Sequence, residues 1–200
     1  LQQPQQRGSA PASAAGSDVG ALRCIEQRTY FAAPGKLDAL HARFRDHTCK
    51  LFAKHGITNL GYFSPLADDS TDGMLVYYVG TPSRAQRDAG FAAFAADPEW
   101  SGPAGAKTLS EVGGKLVDRV ESVFLEPTDY SSPVAALARE GQLLELRRYV
   151  AAAGKRAALN ARFREGEATW RRNGLACVAY LQPAERSADG EVSLSLSLSL

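Results

Sequence analysis

Residues that bind metals or form disulfides are scarce in this chain. The three cysteines, Cys24, Cys49 and Cys177, stand far apart, with no C-x-x-C pair and no histidine at ligand spacing. That argues against a zinc site or a disulfide framework and fits a reducing compartment. The longest apolar runs fall well short of the roughly 18 residues that a membrane helix needs, so no transmembrane segment is expected. An excess of one charge is missing too: 23 Lys and Arg face 22 Asp and Glu, a net charge of +1. A nucleic-acid binder usually carries a clustered basic excess, so no nucleic-acid partner is expected. The sequence has no G-x-S-x-G, P-loop, Rossmann fingerprint or paired metal ligands, and no cofactor is expected. An enzyme that needs only a shaped pocket stays open.

What is present suits a soluble globular chain of 200 residues, 44% hydrophobic and 22% charged. Residues 1–20, "LQQPQQRGSAPASAAGSDVG", have no large hydrophobe after Leu1 and read as a disordered leader. Residues 139–186 hold ten Lys or Arg against five Glu, whereas residues 21–138 hold twelve against fourteen acids. The basic side chains are therefore concentrated late in the chain.

The most informative string is "EQRTYFAAPGKLDALHARFRDHT", starting at Glu26, because much of it returns as "ELRRYVAAAGKRAALNARFREGE" from Glu145. At an offset of 119, 13 of the first 20 positions are identical. A unit of more than 100 residues is too long for a solenoid and reads as a duplicated domain.

In the first copy, residues 22–31 alternate like a half-buried strand. Pro34 opens a helix that carries Leu37, Leu40, Phe44, Thr48, Leu51 and Phe52 at helical spacing, and Gly56 supplies a left-handed stop. Residues 57–66 and 74–80 read as strands, with "ADDSTDG" as the turn between them. A second helix follows, capped by Thr81 or Ser83, with Phe91 and Phe94 on its buried face and Pro98 ending it. Residues 117–127 make a fourth strand. The order βαββαβ predicts a ferredoxin-like α+β sandwich. The second copy repeats strand 143–150, helix 154–173, one residue shorter, and strand 175–182. The tail "SLSLSLSL" then falls in the slot of the third strand, with Leu194 and Leu196 where Val76 and Tyr78 stand. Its period of two suits a strand, though a low-complexity extension would show the same period.

The strings "RTYFAAPGKLDALHARFRDHT", "LFAKHGITNLGYFSPL", "PSRAQRDAGFAAFAADPEW" and "VESVFLEPTDYS" resemble the NIPSNAP family, throughout residues 23–130 and more weakly over 143–183. The resemblance implies tandem ferredoxin-like domains of the dimeric α/β-barrel class, in which two sheets face each other. The expected organisation is a leader (1–20), a first domain (21–130), a linker (131–141) and an incomplete second domain (142–200), with 192–200 as a Ser-Leu strand or tail. In eukaryotic relatives the resemblance implies association with mitochondria, membrane trafficking and recruitment of protein partners. The localisation expected is soluble intracellular, mitochondrial in a eukaryote and cytoplasmic otherwise.

Glu26, Arg28 and Tyr30 share one strand face, opposite Ile25, Gln27 and Thr29, and the trio recurs as Glu145, Arg147 and Tyr149. The barrel class implies that these polar faces line its interior. Acidic, cationic and phenolic groups there could orient a small polar ligand, or they could form a salt-bridge network that sets the register of the sheets. His47, three residues after Phe44 at the edge of the buried helix face, would suit proton transfer or haem ligation, or simply a boundary hydrogen bond. His41 and His55 read as exposed or capping residues. Tyr62 and Tyr180, equivalent in the two copies, complete the candidate barrel-lining set. Arg162, Arg164, Arg171 and Arg172 make the second long helix basic, which suits an anionic surface or plain solvation. An RNA-recognition motif shares the βαββαβ order, but "MLVYYVG" lacks its aromatic signature.

The leading expectation is a non-enzymatic binding or scaffold protein with protein partners or self-association through the barrel sheets. The competing one is a small-molecule barrel enzyme, like a cofactor-independent monooxygenase or a haem binder. The absent second helix of the second copy would bury three or four large side chains, each worth about 1.5–3 kcal/mol. Residues 139–200 expressed alone are therefore expected to be marginal. Rapid digestion in limited proteolysis is the expected outcome, and a resistant core would contradict it.

Overall fold

Strand-forming residues at period two build β1 (Cys24–Ala32), and helical spacing takes over once Gly35 has turned the chain at φ 69°. In the computed structural model residues 22–66, 73–132, 134, 144–184 and 191–199 are described, with backbone alone at 175, 176 and 191–199. The proposed leader, the "ADDSTDG" turn up to residue 72 and most of the proposed linker lie outside them. The first long helix runs as α1 (Leu37–Arg43), a π-helical turn (Phe44–Thr48) and α2 (Cys49–Lys54). It ends as expected, on Gly56 at φ 73°, where only glycine avoids a strained backbone.

Then come β2 (Thr58–Phe63), β3 (Met74–Thr81) and α3 (Arg84–Ala96), whose N-cap is Ser83, its hydroxyl accepting the Gln86 N–H at 3.2 Å. Pro98 does end α3, and it also begins α4 (Pro98–Ser101), because proline at a first helical position loses no hydrogen bond. The Asp97 side chain caps that turn by accepting the Glu99 N–H at 2.9 Å. A further turn, α5 (Ala106–Ser110), falls in the stretch the sequence left irregular, and β4 (Val117–Pro127) follows. The second copy gives β5 (Leu144–Ala151), α6 (Arg156–Arg172), β6 (Leu175–Pro183) and β7 (Glu191–Ser199), so the Ser-Leu tract is a strand.

The seven strands of the described residues join one antiparallel sheet in the order β2-β3-β1-β4-β6-β7-β5, curled into a half-barrel. The first four form the ferredoxin-like arrangement. The join is short: Leu125, Glu126 and Pro127 of β4 pair with Pro183, Gln182 and Leu181 of β6. β7 lies between β5 and β6, with Leu196 the register partner of Leu146 and Leu194 of Leu181. One apolar cluster, including Leu40, Phe44, Phe52, Tyr77 and Phe94, fills the layer between helices and sheet. A second, including Ile25, Leu60, Tyr78, Leu125, Ala179 and Leu181, lies on the opposite face and spans both copies. Helix α3 comes close enough to the end of α2 that a Cβ on Gly90 would sit 2.8 Å from the His55 carbonyl oxygen.

The π turn accounts for the one-residue difference between the copies. A π bulge is one extra residue in an α-helix, and here the Cys49 N–H reaches back to the Phe44 carbonyl while the Thr48 hydroxyl donates to the Arg43 carbonyl at 3.2 Å. In the second copy α6 is α-helical throughout. Phe44 thus matches Phe163 at an offset of 119, and beyond the bulge Phe52 matches Trp170 and Gly56 matches Gly174 at 118. Removing His47 from the bulge is expected to leave a folded protein, with stability changed by about 1–2 kcal/mol. Removing Gly166 from α6, which has no bulge to absorb the loss, rotates the end of the helix by about 100° and should break the contact between Phe163 and Trp170. Thermal unfolding and near-ultraviolet circular dichroism of the two deletions check this; equal damage would contradict it.

Candidate functional site

Glu26, Arg28 and Tyr30 do come together, but not in the barrel interior. They lie on the helix-facing side of β1, and it is Ile25, Gln27 and Thr29 that face away. The reason is α3, which brings cations of its own to that layer. Arg87 grips Glu26 bidentately, Nε to Oε2 at 2.6 Å and Nη2 to Oε1 at 2.8 Å. Arg28 Nη1 adds a bond to Oε1 at 2.6 Å, and the Ser122 hydroxyl of β4 donates to the same oxygen. The Glu26 side chain is 1% exposed, Arg28 15% and Arg87 18%. The carboxylate is therefore saturated, as a buried charge must be.

Aromatic rings frame the two guanidiniums. Arg28 Nε donates to the Tyr77 hydroxyl at 2.8 Å and Nη2 reaches the Tyr30 hydroxyl at 3.4 Å. The Phe91 ring of α3 lies 5.1 Å from the Arg28 guanidinium carbon and 4.2 Å from that of Arg87, within cation–π range. Arg84 stands 3.5 Å from the Phe124 ring centroid. Tyr62 enters this network by stacking on Tyr77, centroids 5.4 Å apart, and its hydroxyl donates to Asn59. Asn59 in turn donates to the Cys49 carbonyl at 2.9 Å. Burial pushes the phenols of Tyr62 and Tyr77 well above the usual range, so neither is poised to ionise near neutrality.

The second trio also faces its helix rather than the interior. Tyr149 packs on Phe163 of α6, with centroids 4.9 Å apart, and Tyr180 lies 5.6 Å from the same ring. Arg147 holds Glu145 bidentately at 2.8 and 2.9 Å, yet these side chains remain 44% and 47% exposed. His47 stands apart from both clusters. It is exposed on the π turn, because the bulge swings it away from the face set by Phe44. His55 is the helix C-cap residue, and its Nε2 lies 2.7 Å from Asp97 Oδ2. His41 Nε2 lies 2.9 Å from the Ser64 hydroxyl.

The basic stripe of α6 is partly neutralised: Arg164 pairs with Asp129 at 2.6 Å and Arg171 with Glu167 at 2.7 Å. A cleft of about 450 Å³ on α6 is lined by Glu167, Ala168 and two of the four arginines of the basic stripe, Arg171 and Arg172, and touches none of the candidate barrel-lining residues. On the sheet face turned away from the helices, the Tyr78 hydroxyl donates to Gln27 Oε1 at 2.9 Å in an otherwise apolar cluster. Among the described residues no group of three His, Cys, Asp or Glu could hold a metal, and no helix is long and apolar enough to cross a membrane.

Sequence reading missed Arg87, Tyr77 and Ser122. Arg87 was detectable, since it precedes Phe91 by four residues and so shares the buried face of α3, where a cation requires a partner.

Burial alone would raise the Glu26 carboxyl, but hydrogen bonds from Arg87 and Ser122 and the charges of Arg28 and Arg87 outweigh it and hold the group below its usual value. A depressed carboxylate stabilises the fold above its unfolded value and loses that contribution as pH falls through the folded one. Glu26→Gln is therefore expected to cost about 3 kcal/mol at neutral pH, the low end for breaking a buried pair. Its unfolding free energy should also fall less steeply below about pH 4.3. Asp97, held low by Lys54, His55 and the Glu99 N–H, keeps a residual acid limb in the variant. Urea unfolding at stepped pH measures both, and an acid limb identical to wild type would contradict the assignment.

The sequence pattern that defines the NIPSNAP family matches residues 25–132, just over half of the chain. Similar solved structures include a NIPSNAP-like domain protein from Burkholderia xenovorans, at 20% identity and TM-score 0.47 over 60% of this chain and 97% of that one. A NIPSNAP family protein of unknown function from Agrobacterium tumefaciens str. C58 matches at 22% identity and TM-score 0.45, over 57% and 95%. A monooxygenase candidate from Lactobacillus acidophilus NCFM matches at 10% identity and TM-score 0.53, over 89% and 77%, a likeness of fold alone. No curated protein matches the sequence. With the family pattern running from β1 through β4 and every strand of that span in ferredoxin-like order, the chain belongs to the NIPSNAP family.

Proposed function

We propose that this protein is a non-catalytic binding or scaffold protein built from two ferredoxin-like units, residues 21–130 and 142–200, and that its Glu-x-Arg-x-Tyr motif fastens sheet to helix. The observation that carries the reading is the saturated Glu26 carboxylate: two guanidiniums and a hydroxyl occupy it, and at 1% exposure it has no open side for a substrate. A catalytic carboxylate needs reach to the reacting atom. The neighbouring phenols are likewise engaged, Tyr77 by Arg28 and Tyr62 by Asn59. Protein partners, a mitochondrial or cytoplasmic location and a link to membrane trafficking follow from the family resemblance as part of the same proposal.

Arg28→Ala separates this reading from a small-molecule barrel enzyme. The expected outcome is a loss of about 1.5–3 kcal/mol, the worth of hydrogen bonds to a charged group, with an unchanged profile of bound small molecules by mass spectrometry. A fully stable variant that has lost a small molecule held by the wild type would overturn the scaffold reading. Haem titration with a Soret band abolished by His47→Ala would do so independently.

A further inference from the structure

The long helices of the two copies end on the same geometry with different chemistry. At equivalent positions α2 closes on His55 and Gly56, and α6 on Asn173 and Gly174. In each the glycine takes the left-handed conformation that stops the helix, φ 73° at Gly56 and 81° at Gly174. A Cβ on Gly174 would meet no atom within 4 Å, so the backbone angle alone demands glycine there. Asn173 suits the cap for its own reason. Its side-chain amide Nδ2 donates to the Thr169 carbonyl at 2.7 Å, filling one of the acceptors that a helix leaves open at its end. The needs of the fold thus put an asparagine directly before the residue that has no side chain. Of the three asparagines in the sequence, Asn59 precedes Leu60, Asn160 precedes Ala161, and Asn173 alone precedes a glycine.

We propose that Asn173 is a self-modification site, at which the chain converts its own side-chain amide to a mixture of aspartate and isoaspartate. The Gly174 backbone nitrogen, shielded by no side chain, gives up its proton to solvent base and attacks the Asn173 side-chain carbon Cγ. A bond forms between that nitrogen and Cγ, the bond from Cγ to Nδ2 breaks, and ammonia leaves a five-membered succinimide behind. Water then opens the ring. Addition at Cγ restores the original main chain with an aspartate, and addition at the Asn173 main-chain carbonyl carbon leaves the chain running through Cγ as isoaspartate. One water is consumed and one ammonia released, with no oxidation. Helix α6 gates the step. The Gly174 N–H donates to the Arg171 carbonyl at 3.2 Å and Nδ2 donates to Thr169, and both bonds must open before attack. With its ψ at 19°, Asn173 also holds the attacking nitrogen far from eclipsing Cβ, so the last turn has to unwind. These restraints are all local to residues 169–174, and helix ends open more readily than helix interiors. The product changes the helix end. A carboxylate cannot donate to the Thr169 carbonyl, it meets the negative pole of α6, and it lowers the basic charge just after Arg171 and Arg172. The inference goes beyond the binding reading above and can fail separately from it.

The test incubates the full 200-residue protein at neutral and mildly alkaline pH beside a peptide of residues 169–178, which is too short to hold a helix and serves as the unstructured reference. Peptide mapping by mass spectrometry locates the deamidation, and an isoaspartyl methyltransferase assay reports the isoaspartate. Conversion is expected at Asn173 in both samples, faster at the higher pH, and about ten- to a hundredfold slower in the folded protein. That retardation should match the protection of the Gly174 amide in hydrogen exchange, because the same bond to Arg171 closes off both reactions. Asn173→Asp, which carries the product's charge from the start, should melt below wild type. An Asn173 that stays unmodified in the folded protein after the peptide has converted fully would overturn the proposal. Conversion of Asn59 or Asn160 at a comparable rate would do the same, since neither precedes a glycine. A folded rate equal to that of the peptide would sink the gating by α6.

Discussion

One buried carboxylate organises the first half of this fold. Glu26 is bound by its neighbour Arg28 on β1, by Ser122 on β4 and by Arg87 on α3, so a single side chain ties two strands and a helix together. Burying a charge costs several kcal/mol even after relaxation, and only complete pairing repays it. That requirement fixes more than one contact. Arg87 must enter the apolar layer, which sets the rotation of α3 and seats Phe91 and Phe94 on Phe52. Gly90 on the same helix permits the close approach to the end of α2 that this rotation demands.

The sheet itself rests on a different force. On the face turned away from the helices, residues of both copies merge into one apolar cluster in which Ile25 and Leu125 of the first meet Ala179 and Leu181 of the second. The hydrogen-bonded join between β4 and β6 spans only three residue pairs. Burial of apolar surface, at roughly 25 cal/mol per Å², therefore does more than the ladder to hold the copies in one sheet. Polar side chains are placed accordingly: the buried charged network lies under the helices, whereas the opposite face buries Gln27 with the Tyr78 hydroxyl and keeps charges such as Arg119 and Glu121 exposed.

Much of the fold was legible in the sequence, because alternation and helical spacing mark elements strongly. The fourth strand falls at 117–127 as read, and Ser83 and Gly56 bound their helices as their chemistry requires. Even the Ser-Leu tract takes the third-strand slot to which its spacing from Pro183 assigns it. The orientation of β1 was not legible. A period of two separates two faces without saying which meets the helices, and in a curled sheet both faces are buried, so apolarity no longer discriminates. The site was misplaced for the same reason, and His47 is exposed because the π turn rotates it off the face that Phe44 and Thr48 share.

The duplicated motif thus has two physical fates decided by what lies over it. Under α3, Glu-x-Arg-x-Tyr is a saturated fastener, with its carboxylate at 1% exposure and its arginine divided between Glu26 and two phenols. Beside α6, the same letters leave a half-exposed pair in which Arg147 holds Glu145 bidentately and also interacts with the Tyr149 hydroxyl. The first copy uses its polar groups for internal cohesion, while in the second Glu145 and Arg147 stay half-exposed as a local pair.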